Sequence, residues 1–414
     1  MALDSLTQTS GSASQNLDYD VVIVGGNITG LTLALTLQQS NLRIAIAEAT
    51  PLEVAASRDR AYAISVLSGR IFNGLGVWDD ILPKIGKFRH IRLSDGDFPH
   101  VVGFETEDIN SEYVGYAAEH HILHHGLHQR LKDSKNLDWF CPAKVETITY
   151  HDYGVNITLD QEGTRETITT GLIVGADGAR SRVRESANIK TMGWKYWQSC
   201  VTTVFRHSTQ PNDTAFERFW HTGPMGILPL PGNRCQVVWT APHAEAQRLK
   251  EMDEKQFVEK LTQRTGGLLE DIELLKDRLV FPVQLMQSNH YVLPHLALVG
   301  DAAHRCHPVG GQGLNLGIRD AAVLGEILQQ APPEEMGEIK VLKRYEKWRK
   351  TENLAILGVT DLLDRSFSNQ FLPMVLSRRT GIWMMEKIPP LKQFALEIMT
   401  GLKGKTPALA TVKK

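Results

Sequence analysis

Cysteine is scarce in this chain of 414 residues, and Cys141, Cys200, Cys235 and Cys306 stand apart with no CxxC spacing. That excludes a disulfide scaffold and a structural zinc site, and fits a reducing compartment. An excess of one charge is also missing: 45 basic against 47 acidic side chains leave a formal net charge of −2, which argues against a nucleic-acid partner. No apolar run reaches the length of a membrane-spanning helix. Residues 1–17 lack the basic start and apolar core of a secretory signal; their Ser, Thr, Gln and Ala read as a disordered leader. These absences predict a cytoplasmic protein, at most peripheral on the inner face of a membrane. The length exceeds that of a usual single core, so a large nucleotide-binding domain and a smaller second module are expected.

Tyr19 to Val24 (YDVVIV) is a β-branched run, followed by Gly25, Gly26 and Gly30, by LTLALTLQQ with helix-forming composition, and by RIAIAEA as a second strand. Such a βαβ unit sets a pyrophosphate at the helix N-terminus, where free N–H groups and the helix dipole favour negative charge. Glu48, ending the second strand, is placed to hold a ribose hydroxyl. Asn27 occupies the second glycine's place in GxGxxG. Asn is the non-glycine residue best able to take positive φ, and its amide could donate to a phosphate oxygen. GLIVGADG at 171–178 lacks the third glycine, so a second permanent nucleotide domain is not expected.

Two later segments repeat the pattern of strand, turn and helix. ITTGLIVGADGARSRVR (168–184) carries Asp177 in its turn and Arg184 beyond it. ALVGDAAHRCHPVGGQGLNLGIRDAAVLGEIL (297–328) delivers Asp301 to a ligand hydroxyl and opens a helix N-terminus at Gly311 to Asn315 toward a charged group. In this order the segments resemble the FAD-dependent aromatic monooxygenases of para-hydroxybenzoate hydroxylase-like fold, and within them the ubiquinone-biosynthesis hydroxylase family. The resemblance runs from residue 18 to residue 401 and takes in RAYAISVLSGRIFNGLGVWDDI (60–81), WKYWQSCVTTV (194–204), TAFERFWHTGPMGILPLP (214–231) and YEKWRKTENL (345–354).

The resemblance implies an α/β fold: a Rossmann-like FAD-binding domain (18–190 and 291–370), an inserted antiparallel β-sheet substrate domain (mainly 191–290) and a C-terminal basic helical tail (371–414). It implies Gly25, Gly26, Asn27, Gly30 and Glu48 for the ADP part of FAD, and Arg60 and His120 among the cofactor contacts. Asp177 and Arg184 would lie by the pyrophosphate, Asp301 by the ribityl chain, and Pro308, Gly311, Gln312, Gly313, Leu314 and Asn315 at the isoalloxazine edge. The implied reaction has NAD(P)H reduce the flavin, and a flavin C4a-hydroperoxide formed with O2 hydroxylate a polyprenylated phenol in ubiquinone or plastoquinone synthesis. Side chains supply no electrophilic oxygen, so a cofactor must carry that chemistry. Backbone N–H groups at Gly311 to Gly313 would stabilise the anionic reduced flavin. No catalytic base is assigned; His304 and His307 flank the flavin turn. Two other readings stand beside this one: a hydroxylase of small soluble aromatics, and a flavin-loaded subunit of a quinone-synthesis complex without its own turnover.

HHILHHGLHQR (120–130) sets His120, His124 and His128 at i, i+4 spacing, but no carboxylate or cysteine joins them locally, and no metal is expected. From Phe371 onward the chain carries an excess of six positive charges, and Leu391, Phe394, Ala395, Ile398, Met399 and Leu402 share one helical face. That face either docks on the protein's own core or lies on an anionic membrane and delivers an isoprenoid substrate.

Overall fold

Short apolar runs without polar alternation are stable only where both faces of a strand are covered, and Tyr19–Val24 and Ile44–Ala47 take such places. In the computed structural model, which describes residues 17–96 and 98–411, the two strands pair in parallel with Val21 opposite Ile44. The leader up to residue 16 and the last three residues of the tail lie outside the described residues. Thr164–Gly175 lies parallel on the other side of Tyr19–Val24, with Leu296–Leu298 beyond it and Leu137–Phe140 at the far side. A hairpin, Lys144–His151 and Gly154–Gln161, continues this sheet antiparallel. The helices Ile28–Leu37 and Gln312–Gln329 pack together against it. They approach closely because Gly325 has no side chain: a Cβ there would stand 2.2 Å from Thr36 Cγ2. Thr32 and Thr36 satisfy their buried hydroxyls on the carbonyls of Ile28 and Thr32, at 2.6 and 2.9 Å.

The second large sheet is the inserted antiparallel sheet. Its axis is the long strand Thr191–Arg206, flanked by Leu279–Ser288 and Arg234–Pro242, then Met225–Leu230 and Thr214–Phe219. Local pattern did not reveal its completion by distant chain. His90–Asp95 lies parallel to Thr214–Phe219, with Leu93 opposite Glu217, and Val101–Glu105 pairs beyond it. Two helices follow in the chain, His243–Glu251 and Glu254–Thr265, separate because Asp253 caps the second by accepting from Gln256 N at 3.0 Å. Together they bury Ala246, Leu249, Phe257 and Leu261 against Val201, Phe205 and Trp239. A small sheet of Ala61–Ile64, Gly115–Glu119 and Gly86–Phe88 joins the layers; Gln236 grips both Ala61 N and Ala61 O, at 2.5 and 2.8 Å.

Three helices, Ile339–Phe367, Leu372–Lys387 and Pro389–Thr400, close the chain. The last one splits the apolar face read from its sequence. Ala395 and Met399, with buried Leu396, pack toward Phe88, Ile91 and Phe104, whereas Leu391 and Phe394 stay 37% and 47% exposed. Among the described residues no helix is long and apolar enough to cross a membrane.

Candidate active site

The carboxyl ends of Tyr19–Val24, Ile44–Ala47 and Thr164–Gly175 border a cleft of about 550 Å³. This is where open parallel sheets bind nucleotides. The turn at its floor depends on missing side chains: a Cβ on Gly25 (φ +113°) would stand 2.5 Å from Ala176 O, and one on Gly30 would stand 2.0 Å from Gly25 O. Gly26 N donates to Glu48 Oε2 (2.7 Å) and Thr50 N to Oε1 (2.9 Å), which fixes the carboxylate at the cleft wall. Asn27 has φ −86°, so the turn needs no left-handed asparagine; Gly25 supplies the unusual conformation. With its amide oxygen turned toward Arg58, Asn27 accepts from both guanidinium Nη atoms at 3.0 Å. Arg58 is a site residue that sequence reasoning missed. With Arg60, Arg180 and Arg182 it gives the cleft four arginines, beside Lys144.

Asp177 Oδ2 accepts from Arg182 N (2.7 Å) and Val183 N (3.3 Å), while its Oδ1 is buried without a partner in the wall of the cleft. Burial raises this carboxyl, against the pull of Ser181 and the helix N–H groups. Arg184 does not line the cleft. Its buried guanidinium spans Ala302 O (2.9 Å) and Ala179 O (2.8 Å), tying the Asp177 turn to the Asp301 turn. Asp301 lines the cleft with its side chain 48% exposed, 3.4 Å from Arg305. Gly313 and Leu314 also line the cleft, and a Cβ on Gly313 would meet nothing nearer than Cys306 Sγ at 3.9 Å. Clustered cations, an unpaired carboxylate oxygen, placed carboxylates and a bare glycine wall fit an FAD: its pyrophosphate, its hydroxyls and its ring.

Behind the Asp301 turn stands a buried polar network that the sequence reading did not find. Asp320, inside the helix Gln312–Gln329, accepts from Gly300 N (3.1 Å), His304 Nε2 (2.6 Å), Arg349 Nε (2.8 Å) and Asn353 Nδ2 (3.0 Å). Burial pushes its carboxyl up, but His304 and Arg349 outweigh that and hold it well below the usual carboxylate range. The sequence signal was one aspartate in an otherwise apolar helix face.

In front of the turn lies a second, smaller cavity of about 100 Å³, walled by Phe88, Ile91, Phe216, Leu228, Met399 and the turn Pro308–Gly311. Pro308 and Gly311 thus face this cavity, not the cleft. Gln312 Nε2 donates to Gly310 O (2.9 Å) and Met399 O (3.1 Å). Asn315 accepts from Ser65 N and Ser68 Oγ and donates to Ala63 O and Gly311 O, each at 2.8 Å. Both side chains brace the turn from behind. His120 lines the cleft, its Nε2–H on Ala55 O (2.9 Å) and its Nδ1 at Tyr62 Oη (3.1 Å); burial lowers it to about 4, so the ring is neutral. His120, His124 and His128 stack along their helix with centroids 5.7 and 6.3 Å apart, and His124 spends a nitrogen on Gly26 O. Among the described residues no group of three His, Cys, Asp or Glu side chains is arranged to hold a metal. His307, beside the turn, is driven down to about 3 by burial and packs edge-on to Tyr196.

The family model for the FAD binding domain matches residues 18–357. The ubiquinone hydroxylase UbiL of Rhodospirillum rubrum is 34% identical over 387 residues, 92% of this chain and 89% of that protein. The 3-demethoxyubiquinol 3-hydroxylase of Escherichia coli is 32% identical over 394 residues, 94% of this chain and 100% of that one. The crystal structure of p-nitrophenol 4-monooxygenase from Pseudomonas putida shares the fold with a TM-score of 0.78 at 19% identity, over 92% of this chain and 98% of the other. By its cleft, its two-sheet architecture and these relatives, the chain belongs to the ubiquinone-biosynthesis hydroxylase family of FAD-dependent aromatic monooxygenases.

Proposed function

We propose that this monooxygenase hydroxylates the aromatic ring of a polyprenylated phenol on the way to ubiquinone or plastoquinone, with NAD(P)H as a transient reductant. The observation that carries the reading is the apolar cavity against the turn Pro308–Gly311, about 100 Å³ in volume. That is of the order of the cavities that bind one benzene ring, about 150 Å³. Bound FAD supplies the oxygen chemistry, and the protein supplies position, charge and the exclusion of water. In this reading Glu48 holds the adenosine ribose, Arg58 and the three other arginines neutralise the pyrophosphate, and Asp301 takes the ribityl side. Gly310 and Gly311, at φ +70° and +60°, turn the chain so that the first N–H groups of the helix Gln312–Gln329 face the ring edge.

An isoprenoid substrate comes from a lipid phase, and the C-terminal helices offer it a surface. Phe371, Leu372 and Leu376 are 70%, 65% and 58% exposed, and Trp383 and Phe394 47% each. Met399, on the last helix, reaches the cavity wall. The enzyme would therefore sit peripherally on a membrane.

The test is turnover by the FAD-loaded protein. A prenylphenol should stimulate NAD(P)H oxidation and gain one ring hydroxyl, and a deletion strain should accumulate the quinone precursor lacking that hydroxyl. Turnover of small aromatic acids in place of prenylphenols would favour the small-substrate reading. Flavin occupancy without oxidation of any phenol would leave a non-catalytic subunit.

A further inference from the structure

One side chain in the cavity has no structural reason to be charged. The walls are Phe, Ile, Leu, Val, Ala, Pro, Gly and Met, with the Thr240 hydroxyl, and Glu217 is the one charged residue among them. Glu217 lies mid-strand in Thr214–Phe219, between Gly226 on one neighbour and Leu93 on the other. Its Oε2 is 3.4 Å from Gly310 N in the flavin turn, a long and weak contact for a carboxylate. No ion pair of the described residues includes it. Its strand neighbour Arg218 stands over the Trp220 ring. On the adjoining elements Arg92 is paired with Glu105, Asp95 with Arg378 and Arg379, and His307 faces Asp364. The Cys200 thiol sits on Thr240 Oγ1 at 3.3 Å. A carboxylate retained in an apolar cavity without a cation costs stability unless something polar enters to meet it.

We propose that Glu217 is the polar anchor for the aromatic substrate: its carboxylate accepts the hydrogen bond and then the proton of the substrate's phenol hydroxyl, holding the ring beside the turn Pro308–Gly311. The O–H bond breaks with its electron pair left on the phenol oxygen, which makes the ring more electron-rich, and the proton rests on a Glu217 oxygen. It returns to the same phenol oxygen in the product, so the residue ends in its starting state. Burial pushes the Glu217 carboxyl up to about 7, against the Gly310 N–H, which brings it closer to a phenol in proton affinity than an exposed carboxylate would be. The inference rests on the reading that the enzyme hydroxylates phenols, but not on which pathway the phenol belongs to.

The test is equilibrium binding of a short 2-prenylphenol, and of its methyl ether, to FAD-loaded protein across pH values on either side of 7. Wild-type affinity for the phenol should fall about tenfold per pH unit as Glu217 becomes protonated below about 7. The methyl ether should bind more weakly and without that slope. Glu217→Gln should abolish the slope while keeping FAD, and Glu217→Asp should restore it. Equal, pH-independent binding of phenol and ether by wild type overturns the inference, and so does an unchanged slope in Glu217→Gln. Wild type that shows the slope but turns over no prenylphenol leaves the anchor standing and refutes the pathway reading.

Discussion

At the scale of single residues, Gly313 separates cofactor binding from folding. A side chain there meets no protein atom closer than 3.9 Å and projects into the cleft. Gly313→Val should keep wild-type stability in chemical denaturation yet lose most of its FAD, measured as the flavin-to-protein absorbance ratio; full occupancy would move the ring elsewhere. The residue types that make such a cleft were legible where they serve local geometry: Gly25, Gly30 and Gly313 for close approach, and Glu48 and Asp301 as strand-end carboxylates. Residues whose meaning is set by a distant partner were not. Arg58 precedes the small sheet in an unremarkable polar stretch, and only the fold brings it over Asn27. Arg184, Gln312 and Asn315 stand within readable motifs, but sequence spacing cannot distinguish a residue that faces a ligand from one that braces the turn behind it.

At the scale of elements, Asp320 joins three of them: its own helix, the turn that carries Asp301, and the helix Ile339–Phe367 through Arg349 and Asn353. Removing one partner of a buried pair leaves the other's charge uncompensated, a cost of about 3–5 kcal/mol. Asp320→Ala should lower unfolding free energy by about that amount and weaken FAD binding as Gly300 loses its acceptor. A loss below about 1 kcal/mol in urea denaturation would mean that the network relaxes or admits water. The elements themselves followed from pattern wherever burial was two-sided or alternation was clear. The division of the second sheet did not, because the parallel partner of Thr214–Phe219 lies at His90–Asp95 and no local periodicity encodes that pairing.

At the scale of the whole molecule, the tail's charge excess is smaller at the surface than its composition suggests. Arg378, nearly buried, shares Asp95 with Arg379, and Lys392 is paired with Asp108. Membrane binding should therefore depend on apolar side chains more than on anionic lipid. Truncation would be a poor probe, since it would remove Met399 from the cavity wall and Leu409 from its place against Gly74. The full chain carrying Phe371→Ser, Leu372→Ser and Leu376→Ser should instead keep its fold and turnover of short phenols. It should float with phosphatidylglycerol vesicles several-fold less than wild type. Equal flotation would turn these helices into a surface for something other than lipid.

The parallel pairing of Leu93 with Glu217 also fixes an order of events during synthesis. A nascent chain that has emerged only past Glu105 contains His90–Asp95 and Val101–Glu105, but the parallel mate of the first is still unmade. Contacts between such distant positions are slow to form and leave unpaired strand edges open to wrong partners. The cavity wall around Glu217 therefore cannot be completed before Thr214–Phe219 has been made, and a ribosome-stalled or proteolysed fragment ending before Thr214 would leave that edge without its mate.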